Sequence, residues 1–454
     1  MSTITDTVES PAHEEIHDTL KDILRRNNDG LKVRLADSLV SFYDKQLRPL
    51  IFDQGELRRY DQELGIYEVV ENSEVFNAIY NLNGLQNRDG KSFDANPAFS
   101  KAVLSIIQSR SSDKDFFLNP IDGLAVKNGF ILVKDNNVEL VPHSPDYRQT
   151  ATLPIPYVKD VATDIIDDFM HDTFKNKEIT DLIYEISGTA LFGYGARHQK
   201  IIIFHGEGAN GKGVILELLE QLIPIEMRSA VPPSEWHTEY LRYPLVGSRL
   251  NTVGEMPNAK DIRFEPLKAI CAGDSYSFRN IGGKAFMYKP KALHIFATNP
   301  LHRLAETGEA IQRRFLVVPF KHIVPENKRR PNYAKELFEL QALGLLSRSI
   351  EGFQRVLKQD GYSSPLPVRI ATKYWLNRTS CEKLFAEEML LNTSNSKDRI
   401  SSTELFNHCC RFADEHDVTR PSSHKDFTVS LKRLGYENKK SNGLMVWPYV
   451  KLKE

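Results

Sequence analysis

The residues with the clearest chemical potential form a glycine-rich loop that ends in a lysine. Residues 206–212 read Gly-Glu-Gly-Ala-Asn-Gly-Lys and fit the pattern G-x-x-x-x-G-K of phosphate-binding loops. An apolar run typical of a buried strand precedes the loop at 201–204, and an apolar stripe with helical spacing follows it at 214–222. This context predicts a turn whose backbone N–H groups converge on nucleotide phosphates, to which Lys212 adds a full positive charge. A plain glycine turn between strand and helix is the alternative.

The residue after the lysine departs from the usual pattern. The set predicted to hold the nucleotide is Gly206, Gly208, Ala209, Asn210, Gly211, Lys212 and Gly213. Most phosphate-binding loops have Ser or Thr at the last of these positions, where the hydroxyl binds Mg²⁺. With Gly213 there, magnesium needs a water molecule or another side chain in that coordination place. The change bears on the rate of hydrolysis more than on nucleotide binding.

Two polar residues follow later strands and could complete a catalytic site. Glu255 comes after a strand-like run at 249–253. A carboxylate beside the loop can hold hydrated magnesium and polarise the attacking water, whereas a surface glutamate is the default interpretation of this strand alone. Asn299 follows the run 292–298, and its amide can hydrogen-bond both the γ-phosphate and the water. We expect Glu255 to be catalytic and metal-binding, and Asn299 to be catalytic.

Two adjacent arginines, Arg313 and Arg314, stand directly before an apolar run at 315–320. Paired arginines before a buried strand suit an arginine finger that reaches the nucleotide of a neighbouring subunit, a device worth about 10³–10⁵ in rate. An ordinary salt-bridged pair is the alternative. Both are therefore candidate catalytic residues, and the sequence leaves open which of them is the finger.

A candidate DNA-binding hairpin lies between the two strands that lead to the polar residues. Residues 272–286 contain two β-like arms around a Gly-Gly pair, with Lys284 near the predicted tip. A mobile hairpin that carries a lysine and an aromatic residue can grip single-stranded DNA. Arg279, Lys284 and Phe286 are the candidate contacts, and a purely structural hairpin fits the pattern equally well.

Composition indicates a globular protein, since 454 residues correspond to about three domains. Lys and Arg number 59 against 60 Asp and Glu, but residues 279–330 hold eleven basic and three acidic residues, which suits a phosphate backbone as well as a solvated face. No apolar run approaches the roughly 18 residues that span a bilayer, and residues 1–30 lack a signal-peptide pattern. We expect a cytoplasmic protein without membrane contact. The four scattered cysteines are expected to be reduced core thiols.

The pattern of elements divides the chain into five segments. We expect an acidic tail, helical or loose, at 1–30, an N-terminal α+β domain at 31–158, an ATPase core with flanking helices at 159–358, a linker at 359–375 and a winged-helix domain at 376–454. Strand–loop–helix alternation after residue 199 is typical of an α/β unit with a parallel sheet. The predicted fold class is therefore α/β, with a parallel-sheet core that contains the phosphate-binding loop.

The C-terminal segment carries a second group of basic residues. A capping pattern at 401–404 begins one predicted helix, an apolar stripe at 427–434 marks a second, and Lys439 and Lys440 fall in a predicted wing turn before a strand at 444–450. Two helices and a basic hairpin suit DNA binding, and they suit a protein-docking module equally well. Lys439 and Lys440 are therefore candidate DNA-binding residues.

Taken together, the motifs resemble those of superfamily 3 helicases, in the branch formed by the C-terminal halves of phage, plasmid and poxvirus primase–helicases. The matching parts, in order, are the loop 206–212, the strand to Glu255, the hairpin 273–286, the strand to Asn299 and the segment of Arg313 and Arg314. The stretch 128–157 is similar to the domain that precedes the helicase core in this branch, and the tail resembles its winged helix. The resemblance covers about residues 40–454.

The resemblance implies an AAA+-type ATPase ring, usually of six subunits, that binds ATP and Mg²⁺ between neighbours and moves 3′ to 5′ on single-stranded DNA. We therefore expect an ATP-hydrolysing replicative DNA helicase of a phage, plasmid or other mobile element, which acts on single-stranded and forked DNA as a homo-hexamer. Gly213 and the lack of a second acid beside Glu255 place the hydrolysis rate in question. Residues 1–160 are too short for a polymerase-type primase, so a separate primase and a single-strand-binding protein would be partners.

Two alternatives remain at the level of the sequence. The first is a non-catalytic origin-binding or assembly protein that uses nucleotide only to control oligomerisation, and Gly213 keeps it open. The second is a small-molecule kinase, which lacks an evident acceptor site and does not explain the hairpin or the tail. Unwinding of a forked duplex would exclude the first.

Overall fold

The computed structural model describes residues 11–26, 29–46, 48–118, 120–257, 261–299, 308–377, 379–395, 397–441 and 443–453. Over these ranges the chain forms two compact units, which divide between Tyr157 and Val158. No helix within them is long and apolar enough to cross a membrane.

Over its described residues, the first unit combines four helices with two small sheets. Its helices are α1 (Pro11–Arg26), α2 (Leu31–Lys45), α3 (Asn72–Tyr80) and α4 (Pro97–Arg110), and its strands are β1 (Leu50–Asp53), β2 (Glu56–Asp61), β3 (Ile66–Val69), β4 (Gly123–Val126), β5 (Gly129–Lys134), β6 (Asn137–Val141) and β7 (Thr152–Leu153). Strands β1 to β3 form an antiparallel sheet, and the others form a sheet in the order β6-β5-β4-β7. The helices and the first sheet share one apolar core.

The sequence left the acidic segment 1–30 open as helical or loose, and its described part is largely helical. Residues 1–10 lie outside the described residues, but Pro11–Arg26 form the helix α1. Ile16, Leu20 and Leu24 recur at helical spacing and are buried in the core of the first unit. Burial of this stripe makes α1 part of the core, with Asp18 and Asp22 exposed on another face.

The second unit contains the remaining elements. Its helices are α5 (Asp164–Phe174), α6 (Lys177–Leu191), α7 (Lys212–Leu222), α8 (Phe264–Ala272), α9 (Glu309–Gln312), α10 (Tyr333–Gln359), α11 (Leu366–Asn377), α12 (Cys381–Met389), α13 (Ser402–His416) and α14 (His424–Arg433). Its strands are β8 (Ile201–His205), β9 (Arg228–Ser229), β10 (Leu250–Val253), β11 (Tyr276–Phe278), β12 (Phe286–Tyr288), β13 (Leu293–Thr298), β14 (Phe315–Pro319), β15 (Leu390–Asn392), β16 (Arg399–Ser401), β17 (Lys439–Ser441), β18 (Leu444–Pro448) and β19 (Val450–Leu452).

A five-stranded parallel sheet forms the centre of the second unit, in the order β14-β8-β13-β10-β9. Residues 201–204 and 315–319 are buried, as expected for strands covered on both faces. The mixed α/β class with a parallel sheet, predicted from the sequence, is confirmed. Because β13 lies between β8 and β10, the residues that follow β8 and β13 meet at one edge of the sheet.

Two glycines allow close contact between α6 and α10, and α10 in turn packs on α7. A Cβ on Gly188 would lie 2.1 Å from the carbonyl oxygen of Ser349, and one on Gly352 would lie 2.3 Å from the carbonyl carbon of Tyr184. A larger residue at either site would force the helices apart. Through α10, this helix pair supports α7, which begins at the end of the glycine-rich loop.

The segment 359–375, which the sequence predicted to be a linker, ends in regular structure. Residues 366–377 form α11, which packs on β14. The rings of Trp375 and Phe315 lie 5.1 Å apart, and the hydroxyl of Thr372 accepts a hydrogen bond of 2.9 Å from the backbone N–H of Val317. The Pro-Gly-Ser composition at 361–367 suggested a flexible connection, but only its first part lies outside a helix.

Within the described residues of 376–454, the C-terminal part contains the helices α12, α13 and α14, a three-stranded sheet in the order β16-β18-β17 and the two-stranded sheet β15-β19. Lys439 and Lys440, predicted to lie in the turn, belong to strand β17, and the turn follows them. Lys440 pairs with Met445 across the hairpin. Cys381 and Cys409 are buried free thiols in the core of this part, and Cys271 is a buried free thiol beside the parallel sheet.

Candidate nucleotide-binding site

The glycine-rich loop joins β8, in the centre of the sheet, to α7. A Cβ on Gly206 would lie 2.3 Å from the carbonyl oxygen of Phe320, so the close approach of these two segments requires glycine. Ala209 and Gly211 have left-handed backbones, with φ of 60° and 83°. These turns direct the chain sharply into α7, whose first N–H groups form the positive end of the helix.

Asn210 fixes the shape of the loop. Its side chain is only 2% exposed, and its Nδ2 donates a hydrogen bond of 3.0 Å to the carbonyl oxygen of Phe320. Its Oδ1 accepts a bond of 3.3 Å from the backbone N–H of Lys212, while the carbonyl of Ala209 accepts one of 2.7 Å from Val324. The Asn210 side chain therefore supports the loop from behind, so the loop has its shape before any ligand binds.

Lys212 joins the loop to the end of the neighbouring strand. Its Nζ donates to the carbonyl oxygen of Gly206 at 2.7 Å and to Oδ1 of Asn299 at 2.7 Å, with a longer contact of 3.3 Å to the carbonyl of Thr298. Partial burial lowers the pKa of the Lys212 ammonium. The structure thus brings together two residues that the sequence singled out separately. A phosphate oxygen that enters the loop can replace Gly206 as the acceptor of this ammonium.

Glu255 lies at the same edge of the sheet, beyond β10. The backbone N–H of Met256 donates to the carbonyl of Ala297 at 2.8 Å, which extends the pairing of this segment with β13 up to Glu255. The Glu255 side chain is exposed and makes no ion pair with any described residue. Since β10 is two strands from β8, the carboxylate starts about 10 Å from the loop. This distance suits contact through water or a hydrated cation better than direct contact.

The fit of the site to magnesium depends on Glu255 and Gly213. Among the described residues, no three His, Cys, Asp or Glu side chains form a metal cage. Mg²⁺ is usually bound by one or two carboxylates together with phosphates and water, so it does not require such a cage. Around Gly213, a Cβ would meet no atom within 4 Å, so the place of the missing hydroxyl is open space. Glu255 and water would therefore hold magnesium beside the phosphates.

His205, the last residue of β8, was missed by the sequence analysis. Burial lowers the pKa of His205, and the neighbouring Lys212 ammonium lowers it further. A histidine with a lowered pKa is neutral at pH 7, so it adds no second charge beside Lys212. The sequence did contain a signal for His205: it is a titratable residue at the carboxyl end of the strand that leads into the loop.

The two arginines lie at the opposite end of the sheet. Phe315, which follows them, pairs with Ile201 at the start of β8, whereas the loop follows the end of β8. The five residues of β8 therefore place about 15 Å between the arginines and the loop. Arg313 is exposed and its Nη2 contacts Oε1 of Gln199 at 3.3 Å, whereas Arg314 is only 6% exposed and donates to the carbonyl of Ala310. Only Arg313 is free to reach another molecule.

The predicted hairpin is present, but one of its residues points differently than expected. Strands β11 and β12 are antiparallel, and Arg279 and Lys284 are exposed in the segment that connects them. Phe286 is half-buried and packs on the main core, with its ring 6.3 Å from that of Tyr243. The exposed apolar side chains are instead Ile281 and Met287, at 85% and 62%. The alternation of sides along β12 was the signal that could have predicted this.

Exposed cations also lie on the C-terminal helices and hairpin. We call them the C-terminal basic group: Lys425, Lys432 and Arg433 of α14, and Lys439 and Lys440 of β17. None forms an ion pair with a described residue, and the Lys439 ammonium lies 5.9 Å from the ring centre of Tyr449. Unpaired cations on a helix and an adjoining hairpin suit a polyanion such as the DNA backbone.

Comparison with known proteins gives a limited result. A family described as "Family of unknown function (DUF5906)" matches residues 204–314, from the end of β8 to Arg314. No curated protein matches the chain.

Among solved structures, the apo structure of the NrS-1 C-terminal region (305–718) is similar, with 13% identity, a TM-score of 0.43, and coverage of 91% of this chain and 98% of that one. The A form apo structure of the same region has 12% identity, a TM-score of 0.43, and coverage of 90% and 98%. These likenesses are weak and do not assign an activity.

The open space at Gly213 allows the magnesium question to be tested by substitution. We expect Gly213→Ser to lower the Mg²⁺ concentration required for tight ATP binding by about three- to tenfold, because the hydroxyl offers a direct oxygen ligand. The measurement is calorimetric titration of ATP at a series of Mg²⁺ concentrations. Gly213→Ala is the matched control, since it adds the same Cβ without an oxygen. Equal effects of serine and alanine would contradict the expectation.

Proposed function

We propose that this chain is an ATP-driven DNA helicase of the superfamily 3, AAA+-type class, serving the replication of a phage, plasmid or other mobile element. The observation that carries the proposal is the contact of the Lys212 ammonium with Asn299 across the mouth of the glycine-rich loop, at 2.7 Å. A lysine and an amide that meet at the end of adjacent parallel strands are placed to contact the same γ-phosphate. The sequence order of the motifs supports the same class.

In the proposed reaction, the loop N–H groups and Lys212 hold the β- and γ-phosphates of ATP. Asn299 hydrogen-bonds the γ-phosphate and the attacking water, and it exchanges its present contact with Lys212 for these partners. Glu255 orients that water and, together with water molecules, would hold Mg²⁺, which would neutralise charge on the phosphates. Attack by the water transfers the γ-phosphoryl group and releases ADP and phosphate, and positioning with charge stabilisation provides most of the rate.

The position of Arg313 supports an assembly in which each nucleotide is shared by two subunits. Arg313 is exposed at the amino end of β14, about 15 Å from the loop of its own chain. A ring repeats one head-to-tail contact, so the amino end of one sheet can face the carboxyl end of the next. In a homo-hexamer, Arg313 then completes the neighbouring site, and the buried Arg314 stabilises the turn before β14.

DNA contact is assigned to the hairpin and to the C-terminal part. Exposed Arg279 and Lys284 would hold the phosphate backbone of a single strand in the ring channel, while Ile281 offers an apolar surface to the bases. The C-terminal basic group would bind forked or duplex DNA. Movement is proposed to run 3′ to 5′, as the resemblance implies, with primers made by a separate primase and the product covered by a single-strand-binding protein.

One observation favours a second candidate function. Because residue 213 is glycine, the site lacks the Ser or Thr hydroxyl that usually binds Mg²⁺. The C-terminal basic group could bind DNA without any ATP-driven movement. A non-catalytic origin-binding or assembly protein would bind ATP, form rings in response to it and fail to turn it over. Turnover is therefore the property that separates the two candidates.

Loss of the lysine tests the proposed activity. We expect wild-type ATP hydrolysis to rise when single-stranded DNA is added, and Lys212→Ala to lower the stimulated rate by about 10²–10³-fold, because one donor to the transferring phosphoryl group is lost. The measurement is phosphate release with and without DNA, beside the melting temperature. Lys358→Ala, an exposed lysine at the end of α10, is the matched control. A Lys212→Ala rate equal to wild type would refute the assigned role.

Mixing of two inactive variants tests whether Arg313 acts on a neighbour. We expect Arg313→Ala to bind ATP normally and to hydrolyse it about 10³-fold more slowly. An equal mixture with Lys212→Ala should recover part of the rate, because Lys212→Ala subunits supply Arg313 to intact loops. Arg314→Ala should instead lower the melting temperature, since its side chain is buried. A mixture no more active than its components would contradict action between subunits.

A further inference from the structure

Arg242 is a buried cation that neither the phosphate site nor the DNA-contacting tip uses. The residue is only 3% exposed and has no carboxylate at ion-pair distance within the described residues. Burial lowers the pKa of its guanidinium. A buried charge without an ion pair is costly, so its hydrogen bonds must compensate for the loss of water.

All of these hydrogen bonds go to backbone carbonyls. Nε donates to the carbonyl oxygen of Ser277 at 2.8 Å, and Nη2 donates to the same oxygen. Nη1 donates to the carbonyl oxygen of Trp236 at 2.8 Å. Ser277 is the middle residue of β11, so the guanidinium joins the hairpin to the segment that precedes β10.

The same guanidinium also contacts the two rings that flank Ser277. Its carbon lies 4.4 Å from the ring centre of Tyr276 and 5.5 Å from that of Phe278. Arg242 therefore contacts every residue of β11. A planar guanidinium can stack on rings while it donates in its own plane, and a lysine ammonium cannot do both.

Further bonds hold the base of the hairpin to nearby segments. The hydroxyl of Ser277 donates to Oε1 of Glu239 at 2.8 Å, and the N–H of Gly247 donates to the hydroxyl of Tyr288 on β12 at 3.0 Å. The connecting segment 279–285 is exposed throughout. The hairpin is thus fixed at its base and free at its tip.

Arg242 is also connected, through Trp236, to β13, the strand that ends at the candidate nucleotide-binding site. The ring of Trp236 is fully buried and lies 4.5 Å from that of His294 and 6.0 Å from that of Phe296. Both belong to β13, which leads directly to Asn299. The segment 236–242 therefore contacts β13 on one side and β11 on the other.

From this arrangement we propose that Arg242 is a positioning residue, which fixes the aim of the DNA-contacting hairpin relative to β13. The inference rests on the proposed function, since it names the residue that couples the proposed ATP site to the DNA-contacting hairpin. When Asn299 changes partners on ATP binding, displacement of β13 reaches β11 through Trp236 and Arg242. Loss of Arg242 leaves the phosphate site intact and uncouples the hairpin from it.

The coupling is tested with Arg242→Lys, which keeps the charge, and Arg242→Met, which keeps the length. We expect both to hydrolyse ATP without DNA within about twofold of wild type, and to require about tenfold more single-stranded DNA for half-maximal stimulation, because a small misplacement of a contacting group is costly. Arg263→Lys, an exposed arginine before α8, is the matched control and should change neither value. Loss of the basal rate in both variants, with normal melting, would overturn the inference.

Limited trypsin digestion separates this inference from the proposed function. Cleavage after Arg279 and Lys284 should become faster in both Arg242 variants, with other sites unchanged, whether or not the wild type hydrolyses ATP. Unchanged cleavage and unchanged DNA dependence would refute positioning by Arg242. Faster cleavage in the variants, with a wild type that DNA does not stimulate, would support the positioning role and refute the helicase.

Discussion

The ammonium of Lys212 links the two central strands of the parallel sheet, and the functional site depends on this link. It bonds to Gly206 at the end of β8 and to Asn299 at the end of β13. Both contacts require that β8 and β13 are neighbours and parallel, so that their carboxyl ends meet at one edge. Asn210, held by Phe320 after β14, keeps the loop open around the lysine. A shift of either strand would separate Lys212 from Asn299, the residue that we propose to contact the γ-phosphate.

Because the strands are parallel, the candidate functional residues lie at two opposite edges of the sheet. The loop, Asn299 and Glu255 lie at the carboxyl edge, whereas Arg313 lies at the amino edge. The residues that we propose to bind phosphate and the proposed arginine finger therefore cannot meet within one chain, and a repeating head-to-tail contact would unite them. The hairpin leaves the same unit at a third place, with its base fixed by Arg242. We therefore propose that ATP turnover, subunit contact and DNA contact take place at three separate surfaces: the carboxyl edge of the sheet, its amino edge and the hairpin.

The local sequence pattern was sufficient to predict the positions of those parts of the site that directly follow a strand. The loop, Asn299 and the hairpin could be predicted because apolar runs define strands and the residues that follow them share one edge. Contacts distant in sequence could not be predicted. The inward side of Phe286 and the role of Asn210 behind the loop depend on Tyr243 and Phe320, which no local pattern specifies. The helix at 366–377 was missed for the same reason, since β14 stabilises it.

A structure determined with a non-hydrolysable ATP analogue and Mg²⁺ tests the central claim most directly. We predict that the phosphates occupy the loop 206–212, that Nζ of Lys212 leaves the carbonyl of Gly206 for the β- and γ-phosphate oxygens, and that Asn299 turns toward the γ-phosphate. Arg313 of a neighbouring subunit should approach the same phosphate. Phosphates bound elsewhere, or a Lys212 that keeps its contact with Gly206 in the presence of the bound analogue, would contradict it.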